Sequence, residues 1–196
     1  MACRPMIAAA PAAPSRGVTL AIAIALGASL FVVRPLTVLD PRAAPLLLTG
    51  IYAALWAVSV APAVPSYAAA TASRTMSWRA VTLIGLVAVV IVRFTADPVV
   101  RPDRRLVAIA LGLAAAVAEE AYFRRLLHPV LARAGAAVAI VAGALLFAAM
   151  HYQSYGWAAM PLDFGAGLLF AWQRWASGGW SAPAATHGAA NLLASI

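Results

Sequence analysis

Lysine is absent from this 196-residue chain, cysteine occurs once, at Cys3, and glutamate occurs twice, at Glu119 and Glu120. A lone cysteine excludes an internal disulfide framework and any cysteine-based zinc site. Charged residues are scarce, at 10% of the chain against about 25% in ordinary soluble domains, which excludes a soluble globular enzyme. The chain is 64% hydrophobic, with a mean hydropathy of +0.90. Disorder is excluded as well, because it takes low hydrophobicity to keep a chain unfolded. The length fits one domain of about 100–200 residues, and the composition puts that domain in lipid.

The basic residues number fourteen, all arginine, and the net charge is +8. They are scattered rather than gathered into a patch interleaved with aromatic residues, so no nucleic-acid partner is expected. Arginines near the ends of apolar segments can reach the headgroups, and a pI near 11.1 suits a membrane surface.

Seven apolar stretches follow one another: Val18–Val33, Ala43–Val60, Ala80–Val92, Leu106–Leu127, Gly135–His151, Leu162–Trp175 and Pro183–Ile196. A bilayer span takes about 20 apolar residues, and several of these are shorter, which gives six to seven helices. They must be helices, since lipid leaves no backbone polar group unpaired and nothing here alternates like a barrel strand. The expected fold is an all-α, multi-pass transmembrane helical bundle with small residues allowing close helix approach. Residues 1–17 read as a disordered N-terminal arm, 18–100 as N-terminal transmembrane helices and 101–196 as the catalytic core. The first apolar stretch reads as a retained helix rather than a cleaved signal. Trp172, Trp175 and Trp180 fit an aromatic belt at one interface. The arginines are spread too evenly to orient the chain by the positive-inside rule. Their exclusive use, with much alanine, suggests a GC-rich bacterial genome and hence a bacterial inner membrane.

The few polar groups are more informative. A charged residue at bilayer depth costs about 2.5–3.5 kcal/mol on insertion scales and is a functional candidate by default. Both glutamates lie in one apolar stretch, Ala118-Glu119-Glu120-Ala121-Tyr122-Phe123-Arg124-Arg125. Glu120 and Arg124 stand one helical turn apart, with the acid on the N-terminal side as such pairs favour. Glu119 projects about 100° away and is left as an unpaired carboxylate, a candidate general base. The bland alternative is that both glutamates only pair with Arg124 and Arg125 at a membrane surface.

Two further segments carry imidazoles. Phe147 and His151 share one face of the fifth stretch, and His187 and Asn191 share one face of the last, with small residues between them. Stacked donors of the second kind can stabilise a developing oxyanion; as plain interhelical hydrogen-bonding residues they would also be ordinary. His128, before Pro129, reads as a helix-end residue without a role. At about 1.5 Å per residue, Glu119 and Asn191 can meet between antiparallel helices. His151 reaches them if the segments tilt or if the fourth starts lower in the bilayer, as a continuation of that helix through residues 123–131 would allow.

In order, the three segments spell E-E-x-x-x-R, F-x-x-x-H and H-x-x-x-N. From Glu119 to Asn191 the chain resembles the CPBP family of intramembrane proteases, also called the CAAX-protease and bacteriocin-processing or Abi family. The resemblance implies that Glu119 and His151 activate a water and that His187 and Asn191 hold the oxyanion. Glu120, Arg124 and Phe147 are implied as supporting residues. It implies an intramembrane endopeptidase acting on a membrane-associated protein or peptide, glutamic in type and with no cofactor required. The metalloprotease alternative would use a divalent metal such as zinc, held by Glu119, His151 and His187, three ligands being enough for an open catalytic site. A rival from another class is a non-catalytic membrane immunity or transport protein whose buried Glu and His bind a partner, ion or proton.

Overall fold

The computed structural model describes residues 15–61, 75–95 and 105–195, and these form helices with no strand among them. Seven long helices follow in order: α1 (Arg16–Val33), α2 (Ala44–Val60), α3 (Trp78–Thr95), α4 (Leu106–Glu120), α5 (Ala136–Tyr155), α6 (Met160–Ser177) and α7 (Ser181–Ala194). Each corresponds to one of the seven apolar stretches. The protein is an all-α, multi-pass helical bundle. Four segments are long and apolar enough to cross a bilayer: Gly17–Leu39, Trp78–Thr95, Leu106–Ala134 and Ala136–Tyr155. The expected arm lies outside the described residues up to residue 14, and Ser15 already caps α1 through a bond from the Val18 amide to its hydroxyl.

Local chemistry sets the boundaries. Proline stands in the first turn of α2 and of α6, where its missing N–H has no intrahelical partner to lose. Glycine in positive φ closes α5 at Gly156 (73°) and α6 at Gly178 (72°), a conformation other residues adopt at a cost.

The fourth segment is the longest. Beyond Glu120 it continues as a π-helix over Ala121–Leu127, a further α-turn over His128–Leu131 and a 3-10 turn over Ala132–Ala134. Pro129 explains the irregularity: it cannot donate an N–H to the preceding turn, and its ring crowds the carbonyl four residues back. A wide turn placed just before it absorbs the conflict. The helix therefore runs on for 29 residues in all, and Glu119 sits near its middle rather than toward an end. His128, expected at a helix end, is instead buried inside this rod, and its Nδ1 has no hydrogen-bond partner.

The main core gathers around the rod. Phe31, Tyr122, Phe123, Phe147 and Phe170 pack with Leu55, Leu126 and Ala118. Close backbone approach holds it together: a Cβ on Gly167 of α6 would lie 2.8 Å from the Ala144 Cα of α5, and one on Gly27 of α1 would overlap the Tyr122 ring. A second cluster joins Val81, Ala176 and Ala182, with Trp172 and Trp175 half-buried against it, so those two indoles pack on protein as well as marking a helix end.

Candidate active site

Adjacent residues on a helix point about 100° apart, and the two glutamates accordingly face different neighbours. Both are buried. Glu119 meets the ends of α1 and α5: Arg34 Nη1 donates to its Oε1 at 2.7 Å, and His151 Nε2 lies 3.3 Å from its Oε2. The second arm of Arg34 donates to Ser154 Oγ at 3.2 Å. Glu119 is thus not the unpaired carboxylate expected from local spacing; its cation comes from 85 residues upstream.

His151 is fixed from behind. Its Nδ1 lies 2.8 Å from the Phe147 carbonyl, which can only accept, so Nδ1 carries a proton. Nε2 is left facing a carboxylate oxygen. The two atoms are close without the alignment of a hydrogen bond, and Oε2 has no hydrogen-bond partner among the described residues. Phe147 packs against the imidazole with ring centroids 4.4 Å apart, and Tyr155 stacks at 5.9 Å on an exposed turn of α5.

Glu120 faces inward. Arg124 Nε lies 3.1 Å from its Oε2 as the i,i+4 pair the sequence suggests, though the N–H is not aimed well enough for a hydrogen bond. His187 Nδ1 lies 3.1 Å from its Oε1. The Arg124 guanidinium is enclosed, with the rings of Phe123, Phe147 and Phe170 5.4–6.0 Å away. Its Nη2 donates to the Gly167 carbonyl at 3.3 Å, while Arg174 Nε donates to the Arg124 carbonyl at 3.0 Å. The His187 ring stacks on Phe170 at 4.9 Å. Two acid–imidazole couples therefore stand side by side on one rod, wedged apart by Phe147, which touches both imidazoles.

Residues 102–193 match the family described as Type II CAAX prenyl endopeptidase Rce1-like. The match spans just under half of the chain and includes both couples. It agrees with the resemblance to CPBP membrane proteases carried by the three motifs, and it supports membrane endopeptidase activity in general. No curated protein and no solved structure matches the chain.

Within the Rce1-like segment, α7 runs antiparallel to α4, so that His187 meets Glu120 and Asn191 meets Gly112, about two turns earlier on α4. Asn191 Nδ2 donates to the Gly112 carbonyl at 2.8 Å. Glu119, His151, Glu120 and His187 are brought together around Phe147, while Asn191 stands one turn of α7 away with one N–H committed to backbone. Arg34 lies outside the Rce1-like segment. Sequence reasoning passed over it as an interfacial arginine closing the first stretch; the Arg34-Pro35 break was the available signal, and burial was not readable from it. Arg174 was missed for the same reason.

Glu119, His151 and His187 are the three residues expected for a metal. Their donors are divided: His151 lies on Glu119 and His187 on Glu120, while Arg34 occupies the other Glu119 oxygen. Among the described residues no group of three His, Cys, Asp or Glu is spaced to hold a metal ion. In this arrangement the set does not fit a three-ligand metal site.

Proposed function

We propose that the protein is an intramembrane endopeptidase that hydrolyses a peptide bond of a membrane-associated protein or peptide through a water activated by Glu119 and His151. The observation that carries the reading is the 3.3 Å approach of His151 Nε2 to Glu119 Oε2, with His151 Nδ1 already committed to the Phe147 carbonyl. A couple in this state takes up one proton and later releases one. The water oxygen attacks the scissile carbonyl carbon while its proton passes to the couple. The C–N bond then breaks as that proton moves to the leaving amine. General acid–base help of this kind contributes about 10²–10⁴-fold. The couple adjoins the exposed residues Ser154 and Tyr155, a side from which water and an extended peptide can enter.

His187 and Asn191 are the proposed oxyanion donors. His187 faces Glu120 through Nδ1, so with a proton there it donates through Nε2 only when the ring carries both protons. Asn191 has a second amide N–H beyond the one given to Gly112. Glu120, Arg124 and Phe147 hold these groups in place, and the chemistry is assigned to residues 101–196. No metal takes part in this scheme. The arginine-only, alanine-rich composition supports a bacterial inner membrane as the setting.

The test is cleavage of a prenylated peptide ending in a CAAX sequence by the protein in lipid nanodiscs, read by mass spectrometry. Glu119→Gln keeps the shape of the side chain and removes the base; the expected loss is about 10²–10⁴-fold with helicity unchanged, and chelator leaves the wild-type rate as it was. Cleavage at the wild-type rate by Glu119→Gln would overturn the mechanism and favour a binding role for the buried acids. No cleavage by the wild type overturns a prenylated CAAX peptide as the substrate.

A further inference from the structure

We infer that Arg34, at the end of α1, is the positioning residue of the Glu119 carboxylate, and that the N-terminal helices thereby complete the site. The inference rests on the role proposed for Glu119.

Three observations carry it. First, Arg34 is buried although it closes an apolar helix and could have turned to water; its side chain instead bonds Glu119 Oε1 at 2.7 Å and Ser154 Oγ at 3.2 Å. The planar guanidinium fork thus spans two elements, the α4 rod and the end of α5, and fixes their relative position in a way a lysine point charge does not. Second, the bond decides which oxygen is left for chemistry. With Oε1 held, Oε2 is the oxygen that faces His151, so the carboxylate cannot rotate away from the imidazole without breaking the Arg34 bond. Third, the backbone at Arg34 is built for the purpose. The chain tightens from α1 into a 3-10 turn over Arg34–Leu39, with Pro35 in its first turn and Thr37 Oγ1 donating to the Arg34 carbonyl at 2.9 Å. The Phe31 ring lies 5.6 Å from the guanidinium carbon. Arg34 is therefore braced on both its backbone and its side chain, as a residue that orients a reacting group must be.

The test uses the full chain in nanodiscs and two readouts. The chain has only two glutamates, so labelling with ¹³C-carboxyl glutamate gives two side-chain signals, and loss of one in Glu119→Gln assigns them. In Arg34→Met the Glu119 signal moves while that of Glu120 stays, and in Arg34→Lys it returns toward the wild-type position. On the CAAX peptide, kcat falls by about 100-fold in Arg34→Met, with KM little changed; Arg34→Lys and Ser154→Ala fall between it and wild type. An unmoved Glu119 signal in folded Arg34→Met, or a loss confined to KM, overturns the inference. Arg34→Met removes one member of a buried ion pair; if it does not fold, Arg34→Lys and Ser154→Ala decide, and wild-type kcat in both overturns it. If the wild type does not cleave the peptide, the CAAX substrate fails while the carboxyl signal still judges Arg34.

Discussion

The two glutamates share a peptide bond and little else. Glu119 looks toward the ends of α1 and α5, where Ser154, bonded to Arg34, and Tyr155, stacked on His151, are exposed. Glu120 looks into the densest part of the bundle, against an arginine with 0% exposure ringed by three phenylalanines. Each has one arginine and one histidine. The difference lies in what surrounds the acids: Glu119 adjoins residues beside exposed side chains, whereas Glu120 is enclosed on its Arg124 side; the two imidazoles are equally exposed, at 6% each. Under the proposed function, the same pair of residue types serves a reactive site on one side of the rod and a structural lock on the other.

The largest effect that would break this comparison is on the sealed side. Arg124→Met removes one member of a fully buried pair and leaves Glu120 without its cation, a change worth about 3–5 kcal/mol of stability. It also strips a donor from the Gly167 carbonyl, where α6 packs closely on α5. Thermal unfolding in detergent should show a large loss for Arg124→Met and a smaller one for Glu119→Gln, in which the amide oxygen still accepts from Arg34 and only the charge is lost. Equal losses would mean that the two couples are not divided into lock and site.

A smaller effect sharpens the comparison at His187, which belongs to the lock by its contact with Glu120 and to the site by its proposed role. His187→Gln retains a polar group beside Glu120. If His187 only locks the fold, activity falls in step with stability. If it also donates to the oxyanion, kcat drops by about 10²–10³-fold, the range for removal of one such donor, in a protein that still melts close to wild type. The paired measurement of kcat and melting temperature distinguishes these outcomes.

What could be read from the sequence follows the range of the interactions. Helices are local, so the seven apolar stretches fall on the seven helices, and the Glu120–Arg124 pair is visible from spacing alone because it closes within one turn. The continuation of the fourth helix through residues 123–131 was also open to simple rise arithmetic, and it is what levels Glu119 with His151. Arg34 was not legible: its pairing with Glu119 spans 85 residues, and an arginine before a proline at the end of an apolar run looks the same whether it reaches for headgroups or turns inward. His128 misled for a related reason. A histidine before proline suggests a helix end, but the π-turn over residues 121–127 lets the rod pass through Pro129. The division of the imidazoles between the glutamates was hidden too, because it depends on how α5 and α7 dock on either side of Phe147.

The smallest effect concerns Asn191, and it asks the most of the comparison. Its amide donates to the Gly112 carbonyl at 2.8 Å across the α4–α7 contact. That carbonyl lies inside α4 and keeps its own helical hydrogen bond, so Asn191→Ala leaves no orphaned acceptor, and the structural cost is only about 0.6 kcal/mol, the average for interhelical hydrogen bonds in membranes. A residue that merely joins two helices would show that small loss and near-normal turnover. A residue that also turns its remaining N–H to the tetrahedral intermediate would show the same small loss of stability with kcat down by about 10²–10³-fold. Because the expected change in melting is close to nothing, any substantial loss of turnover belongs to the chemistry. Asn191 is therefore the position at which a role in binding helices and a role in binding the transition state separate most cleanly.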